Sequence, residues 1–133
     1  METIMIVDDD PDDRFFFRRA VEQMGPSYKY YGAQHGVEAL EYLRKAQKLP
    51  DFIFLDLNMP VMGGKECLAE LRKDEMLKDI PVIIYTTAFY DRSIEAVLNL
   101  GAAYYLLKPF DVAKLPEGIE TAIKQVREFR NKG

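Results

Sequence analysis

The sequence is poor in the two side chains that most often carry metal and redox chemistry, because its 133 residues include one cysteine, Cys67, and one histidine, His35. A single cysteine cannot form an internal disulfide, which favours a reducing, cytoplasmic location. His35 precedes a predicted helix and has no second ligand nearby, so we interpret it as a solvated loop residue rather than a metal or catalytic residue. Cys67 is most simply a small buried hydrophobe.

Long basic and long apolar runs are also absent. The formal net charge is −4 and no run of five Lys or Arg residues occurs, so the chain lacks the basic surface that nucleic-acid binding requires. No apolar run approaches the roughly 18 residues that cross a bilayer, and the N-terminus lacks the pattern of a signal peptide. We therefore expect a soluble protein without nucleic-acid or membrane partners.

What the sequence does contain is five short, largely apolar runs. The run at Phe52–Leu55 is too short for a buried helix and shows no polar alternation, which is typical of a parallel strand covered on both faces. The predicted strands span residues 3–7, 28–33, 52–55, 81–85 and 103–107. With 48% hydrophobic residues in 133 positions, they fit one domain spanning residues 1–133.

Helix signals lie between the strands and after the last one. Pro11 suits the first position of a helix, Asp10 can cap its N-terminus, and Asp12 and Asp13 favour the positive end of its dipole. The other boundaries are Gly25-Pro26 after the first helix, Gly36 at the start of the second, residues 64–72 for the third, Gly101 after the fourth, and Pro116 near the start of the last, following a turn at Asp111. The fourth helix is marked by Ile94, Val97 and Leu98, and the last is expected to bury Leu115, Ile119, Ala122, Val126 and Phe129.

Strand and helix alternate five times, which predicts a doubly wound five-stranded parallel α/β sheet with helices on both faces. Right-handed crossovers limit the possible topologies, and the flavodoxin-like order 2-1-3-4-5 suits five strands. This order places the first and third strands side by side. The carboxyl ends of these two strands should therefore form one crevice.

Residues able to do chemistry follow these strands directly: Asp8 and Asp9 after the first, Asp56 after the third, Thr86-Thr87-Ala88 after the fourth, and Lys108 after the fifth. Asp56 is too far from the next helix to cap it, because Pro60 and Gly63-Gly64 delay that helix. Because the carboxyl ends of parallel strands share one edge, we expect Asp8, Asp9 and Asp56 to lie together. The sequence thus predicts one acidic pocket.

Crowded carboxylates need a cation, since two unit charges 4 Å apart repel by about 4 kcal/mol at an effective dielectric constant of about 20. Lys108 supplies one positive charge. An oxygen-only ligand set without His or Cys favours Mg²⁺ or Mn²⁺ over zinc. A hard divalent ion, a lysine and a hydroxyl around Asp56 are typical of phosphoryl transfer to a carboxylate, which yields an aspartyl phosphate.

These residues resemble, along essentially the whole chain, a response-regulator receiver domain of two-component signalling. The resemblance rests on Asp8-Asp9, on Asp56 in Asp-Leu-Asn-Met-Pro with Gly64 downstream, on Thr86, and on Lys108-Pro109. It implies that Asp56 accepts the phosphoryl group, that Asp8, Asp9, Asp56 and the Asn58 carbonyl hold Mg²⁺, and that Lys108 contacts the phosphate. The receiver pattern places the switch hydroxyl at Thr86 rather than Thr87, and the switch aromatic at Tyr105.

The resemblance also implies a cis Lys108–Pro109 bond and a phosphorylation-dependent switch in a phosphorelay, with at most slow self-dephosphorylation and no true enzyme turnover. The implied partners are a histidine kinase or histidine phosphotransfer protein, a downstream protein target and a possible homodimer. The sequence departs from the usual pattern in its third consecutive aspartate, Asp10, which we assign to the helix cap. No output domain follows the last helix, so we expect a stand-alone receiver.

Two other functions and one structural interpretation compete with this one. A haloacid-dehalogenase-type phosphohydrolase also forms an aspartyl phosphate with Mg²⁺, but it uses a second acid two positions after the nucleophile, where this chain has Asn58, and it carries a cap domain. A flavin-binding electron carrier shares the sheet order, but Asp8, Asp9 and Asp10 would repel a flavin phosphate. A purely structural α/β domain leaves the clustered charge unexplained.

Overall fold

The computed structural model describes residues 1–59, 61–87 and 91–132, and it describes side chains in all of these except residues 91–94 and 131–132. The predicted positions Pro60 and Ala88, and the side chain of Ile94, lie outside the described residues. The strands are β1 Glu2–Val7, β2 Tyr28–Ala33, β3 Phe52–Leu55, β4 Val82–Thr86 and β5 Tyr104–Leu107. Each lies within two residues of the predicted boundaries.

The five strands form one parallel sheet in the order β2-β1-β3-β4-β5, which confirms the predicted topology. Consecutive strands in the chain are joined by crossovers that contain a helix, as parallel pairing requires. In the register between β1 and β3, Val7 lies opposite Leu55. The residues that follow these two strands therefore emerge side by side at the carboxyl edge of the sheet.

The helices are α1 Pro11–Gln23, α2 Gly36–Lys45, α3 Gly64–Lys73, α4 Asp91–Asn99 and α5 Leu115–Lys132, and a short 3-10 helix at Val112–Lys114 precedes α5. The predicted cap of α1 is confirmed, because an Asp10 carboxylate oxygen accepts hydrogen bonds from the backbone N–H groups of Asp12 (2.8 Å) and Asp13 (3.4 Å). Gly25 adopts a φ of +108° just beyond α1, where a left-handed residue ends the helix. Within the described residues, no helix is long and apolar enough to span a membrane.

The sheet divides the core into two layers. One layer packs apolar residues of α2, α3 and α4 against one face of the sheet, and the other packs those of α1 and α5 against the opposite face. The central strand β3 is buried on both faces, and each fully buried Leu, Ile or Phe side chain contributes roughly 1.5–3 kcal/mol. Cys67 is 1% exposed within the first layer, which confirms its interpretation as a buried hydrophobe.

One local prediction was incomplete and another was wrong. His35 lies in the loop before α2 as expected, but its Nδ1 also accepts a hydrogen bond from the Glu38 backbone N–H at 3.2 Å and so caps α2. Phe129 is 65% exposed rather than buried, because the core layer under α5 ends at Val126, one turn earlier. Ile123, on the same helix, is buried instead.

Candidate functional site

The acidic pocket lies at the carboxyl edge of the sheet, where β1 and β3 end. Asp8, Asp9 and Asp56 each present a carboxylate oxygen, and these three oxygens lie within 4.8 Å of one another. Asp8 and Asp56 are 0% and 5% exposed, whereas Asp9 is exposed. The structure thus brings together the three carboxylates that the strand order was expected to collect.

Backbone hydrogen bonds hold the two buried carboxylates in place. The Asp10 N–H donates to Asp8 Oδ1 at 3.0 Å, and the Asn58 N–H donates to Asp56 Oδ1 at 3.3 Å. Asp8 Oδ2 is buried and forms an ion pair with Lys108, whose Nζ lies 2.8 Å away. Three carboxylates crowd beside one lysine, and this oxygen-only set fits a hard divalent cation such as Mg²⁺ or Mn²⁺.

Burial and crowding alter the acidity of the carboxyl groups. Burial raises the pKa of Asp56 to about 6, the neighbouring charges of Asp8 and Asp9 add to this increase, and Lys108 partly opposes it. Burial also raises the pKa of Asp8, again partly opposed by Lys108. In the metal-free protein, protonation of Asp56 therefore extends toward neutral pH. A bound cation would favour the ionised, nucleophilic form.

Lys108 provides the positive charge that was expected in this pocket, but its ammonium group contacts more than one carboxylate. Its Nζ lies 2.8 Å from Asp8 Oδ2, 2.7 Å from Asp13 Oδ2 and 3.7 Å from Asp56 Oδ2. Burial by itself would lower the pKa of Lys108, but hydrogen bonds to Asp13 and Asp8 and the charge of Asp56 raise it above its usual range. The ring of Tyr85 lies beneath the ammonium, with 5.3 Å between Nζ and the ring centroid.

The sequence interpretation missed Asp13 and Tyr85. Asp13 was explained completely by the dipole of α1, whereas its carboxylate also binds Lys108, 95 positions away in the chain. The position of Asp13 in the first turn of α1 gave no indication of this contact.

The expected cis bond between Lys108 and Pro109 was also wrong, since the bond is trans. The two isomers of an X–Pro bond differ by only about 0.5–1 kcal/mol, so the surrounding structure decides between them.

Gly64 permits the close approach of α3 to the pocket. Its N–H donates to the Leu57 carbonyl at 3.1 Å. A Cβ atom at this position would lie 2.7 Å from Leu57 Cα, and closer still to the Asp56 carbonyl oxygen. A larger residue would therefore push the N-terminus of α3 away from the loop that follows Asp56.

The two residues expected to act as a switch lie on neighbouring strands. Thr86 is the last residue of β4 and is 1% exposed, whereas Thr87 is exposed. The Thr86 carbonyl accepts a hydrogen bond from the Lys108 N–H at 2.9 Å. Tyr105 lies on β5 opposite Ile84 of β4, and it is partly buried, with its ring stacked on Tyr104 at a centroid distance of 5.8 Å.

Comparison with known proteins agrees with this geometry. The family model of the response regulator receiver domain matches residues 4–120. Chemotaxis protein CheY1 of Helicobacter pylori is 31% identical over 120 residues, which make up 90% of this chain and 95% of that protein. Two other curated relatives are much longer, and the chain spans only 15% and 27% of their lengths.

Solved structures show the same fold. The phosphorylated cyanobacterial phytochrome response regulator RcpA superposes with a TM-score of 0.83 and 29% identity, covering 93% of this chain and 91% of that one. The Mn²⁺-bound form of response regulator Rcp1 gives a TM-score of 0.80 and 25% identity over 91% of each chain.

Proposed function

The chain belongs to the response regulator receiver family, a family of signalling switches, and on that premise we propose that it accepts a phosphoryl group on Asp56 and thereby changes its protein contacts. The observation that carries this proposal is the grouping of Asp8, Asp9 and Asp56 beside Lys108 at the carboxyl edge of the sheet. Buried carboxylates that crowd together oppose folding, and such clusters are typical of sites that bind a cation or carry out a reaction.

The proposed reaction forms one bond and breaks one. A carboxylate oxygen of Asp56 attacks phosphorus, the bond from phosphorus to the donor nitrogen of a phosphohistidine breaks, and the electron pair leaves with that nitrogen. Lys108, whose Nζ lies 3.7 Å from Asp56 Oδ2 before the reaction, stabilises the negative charge on the phosphoryl oxygens in this proposal. Thr86 supplies a hydroxyl to the same phosphoryl group in this proposal.

Asp8, Asp9, Asp56 and the Asn58 carbonyl are the proposed ligands of Mg²⁺ or Mn²⁺. The ion, when bound, neutralises charge on the carboxylates and the transferred phosphoryl group. The oxygen-only set, with three carboxylate oxygens within 4.8 Å of one another, supports this assignment. The Mn²⁺-bound state of the similar regulator Rcp1 supports the same class of ion.

A histidine kinase or histidine phosphotransfer protein is the proposed phosphodonor. A groove of about 440 Å³ has an apolar part formed by Phe15 and Phe16 of α1 and by Val112 and Ala113, and Arg19, Gln23 and Asp111 also line it. The two phenylalanines are 55% and 39% exposed, and they follow Asp13, which contacts Lys108, by two and three positions. A partner docked there would bring its histidine close to Asp56.

Output, in this proposal, passes from Thr86 to Tyr105. A hydrogen bond from the Thr86 hydroxyl to the phosphoryl group draws the hydroxyl inward, and the Tyr105 ring fills the space it leaves. The surface of α4, β5 and α5 then changes its affinity for a downstream protein or for a second copy of the chain. The region 1–133 acts in this scheme as a single receiver domain.

The proposed function is tested by intact mass measurement of the purified protein with Mg²⁺ and a small phosphodonor. We expect the wild-type protein to gain one phosphoryl mass that hydroxylamine removes, because aspartyl phosphate is an acyl phosphate. Asp56→Asn should gain none while keeping its circular dichroism spectrum. Glu120→Gln, an exposed substitution on α5, should label as the wild type does, and equal labelling of Asp56→Asn would refute the assignment of Asp56.

A further inference from the structure

One contact of the pocket has no part in the reaction proposed above. Asp13 Oδ2 lies 2.7 Å from Lys108 Nζ, whereas Asp56 Oδ2 lies 3.7 Å from it. Asp13 is not one of the three carboxylates that group at the metal position. The lysine that should contact the phosphoryl group is therefore bound more closely by a carboxylate that neither accepts phosphate nor shares the proposed metal site.

Lys108 is held by contacts from three different elements. Asp13 lies in the first turn of α1. Asp8 comes directly after β1, and its Oδ2 lies 2.8 Å from Lys108 Nζ. The ring centroid of Tyr85, on β4, lies 5.3 Å from the same nitrogen. The lysine side chain is 11% exposed, so little water competes for the ammonium. Such a desolvated cation keeps its position unless a stronger negative charge draws it away.

We propose that Asp13 is a positioning residue that holds Lys108 back from Asp56 in the unphosphorylated protein and competes with the phosphoryl group for this lysine. The inference rests on the proposed function of Asp56. A phosphoryl group brings close to two negative charges at neutral pH, whereas Asp13 brings one and its side chain is 33% exposed. Lys108 therefore leaves Asp13 and binds the phosphoryl oxygens. The lost ion pair with Asp13 reduces the net free energy that Lys108 contributes to stabilising the phosphorylated state.

The exchange also has a mechanical consequence. Asp13 belongs to α1, and Lys108 follows β5 and precedes the 3-10 helix at Val112–Lys114. These two segments form the two walls of the groove that holds Phe15 and Phe16. The ion pair links the two walls before phosphorylation, and its loss removes this polar link while the buried residues of α1 and α5 stay packed in one core layer.

The test is a titration of the full chain with beryllofluoride, a phosphoryl mimic, at saturating Mg²⁺. Asp13→Asn removes the competing carboxylate at constant shape, so we expect the half-saturating beryllofluoride concentration to fall about five-fold, which corresponds to about 1 kcal/mol. Asp12→Asn is the matched control. It removes the same charge from the same turn of α1, but Asp12 is not among the carboxylates paired with Lys108, so we expect a change below about two-fold.

A second measurement separates positioning from general charge effects. In the metal-free protein without beryllofluoride, the side-chain NMR resonances of Lys108 in Asp13→Asn should shift toward their position in the beryllofluoride-bound wild type. The same resonances should stay at the wild-type position in Asp12→Asn. A structural role of Asp13 alone would alter stability without moving the Lys108 signal in this direction.

The possible failures are distinguishable. In the first case the wild type binds beryllofluoride and gains a phosphoryl mass, so the proposed function stands. The inference about Asp13 is then overturned if Asp13→Asn weakens beryllofluoride binding or leaves it unchanged. It is also overturned if Asp13→Asn and Asp12→Asn strengthen binding equally. If the wild type neither binds the mimic nor gains a phosphoryl mass, the proposed function fails and the inference falls with it.

Discussion

The two edges of the sheet differ in how their polar groups are paired. At the amino edge, the Arg72 guanidinium donates to the carbonyls of Lys78, Ile80 and Gly101 at 2.7–3.2 Å, and Asp51 accepts a hydrogen bond from the Thr3 N–H at 2.8 Å. At the carboxyl edge, Asp8, Asp9 and Asp56 crowd together, and a single lysine, Lys108, is shared among the carboxylates. The amino edge satisfies its polar groups from within the chain, whereas the carboxyl edge leaves them available to an ion and a phosphoryl group.

This difference teaches where stability and function lie in the fold. Hydrogen bonds to charged groups contribute about 1.5–3 kcal/mol each, and buried charges without full compensation oppose folding. Substitutions at the amino edge should therefore destabilise the protein without altering its chemistry. Substitutions in the acidic pocket should alter the chemistry and, in the metal-free protein, leave stability unchanged or higher.

The largest stability effect is expected from Arg72→Ala at the amino edge. Its guanidinium joins α3 to the segments that precede β4 and β5, so the free energy of unfolding should fall by about 3 kcal/mol. Urea denaturation followed by circular dichroism measures this change. Lys73→Ala, at an exposed neighbour with only a surface ion pair to Glu70, should cost less than about 0.5 kcal/mol. A similar loss in both variants would contradict the proposed contrast between the edges.

Asp56→Asn should have the opposite sign, stabilising the metal-free protein by about 3 kcal/mol at pH 7. The folded-state pKa of Asp56 is raised to about 6 from an ordinary value of 3.8. Between these pH values the folded state binds more protons than the unfolded state, so wild-type stability falls as pH rises and this loss is complete above about pH 6. Asp56→Asn has no ionisable carboxyl group at this position, so it does not lose stability in this way as the pH rises.

The measurement is a series of urea denaturations in chelator from pH 4 to pH 7.5. The two proteins should have nearly equal stability near pH 4, and the variant should gain its advantage as pH rises toward 6. Glu120→Gln serves as the exposed control and should follow the wild type at every pH. A constant offset between Asp56→Asn and the wild type across the series would contradict burial of the charged group as the cause.

Thr86→Ala tests whether the carboxyl edge transmits its state to the surface. The hydroxyl's hydrogen bond to a charged phosphoryl group should contribute about 1.5 kcal/mol to the active arrangement. With beryllofluoride bound, wild-type chemical-shift changes should extend from Asp56 through Thr86 and Tyr105, whereas those in Thr86→Ala should stop before Tyr105. Arg72 and Asp51 should stay unchanged in both proteins. Identical maps for the two proteins would remove Thr86 from the output path.

Val61→Gly should give the smallest effect, a gain of about 1 kcal/mol in the free energy of unfolding. Val61 lies in the loop between β3 and α3, is 79% exposed and adopts a φ of +70°. This conformation strains a β-branched residue but not glycine, although glycine's greater freedom in the unfolded chain offsets part of the relief. Thermal denaturation of Val61→Gly is compared with that of Lys65→Gly, a substitution within α3 that should lower the free energy of unfolding by about 1 kcal/mol. The comparison shows whether the gain is specific to the position with positive φ.

The sequence by itself determined the architecture and most of the pocket. Short apolar runs alternating with amphipathic segments specify a parallel sheet, because buried strands and one-sided helices have different hydrophobic periods. Asp8, Asp9, Asp56 and Lys108 could be placed at one edge because parallel strands all end there. Asp10 could be identified as a cap from its position immediately before Pro11.

Only the tertiary structure decided how the charges are paired. Asp13 occupies an ordinary position in the first turn of a helix, and nothing local distinguishes it from Asp12, yet its carboxylate binds Lys108 from 95 positions away. The trans bond before Pro109 and the exposure of Phe129 likewise depend on how distant segments meet. Periodicity and caps are set by neighbours along the chain, whereas an ion pair is set by distances in space, which follow only from the packed arrangement of all the elements.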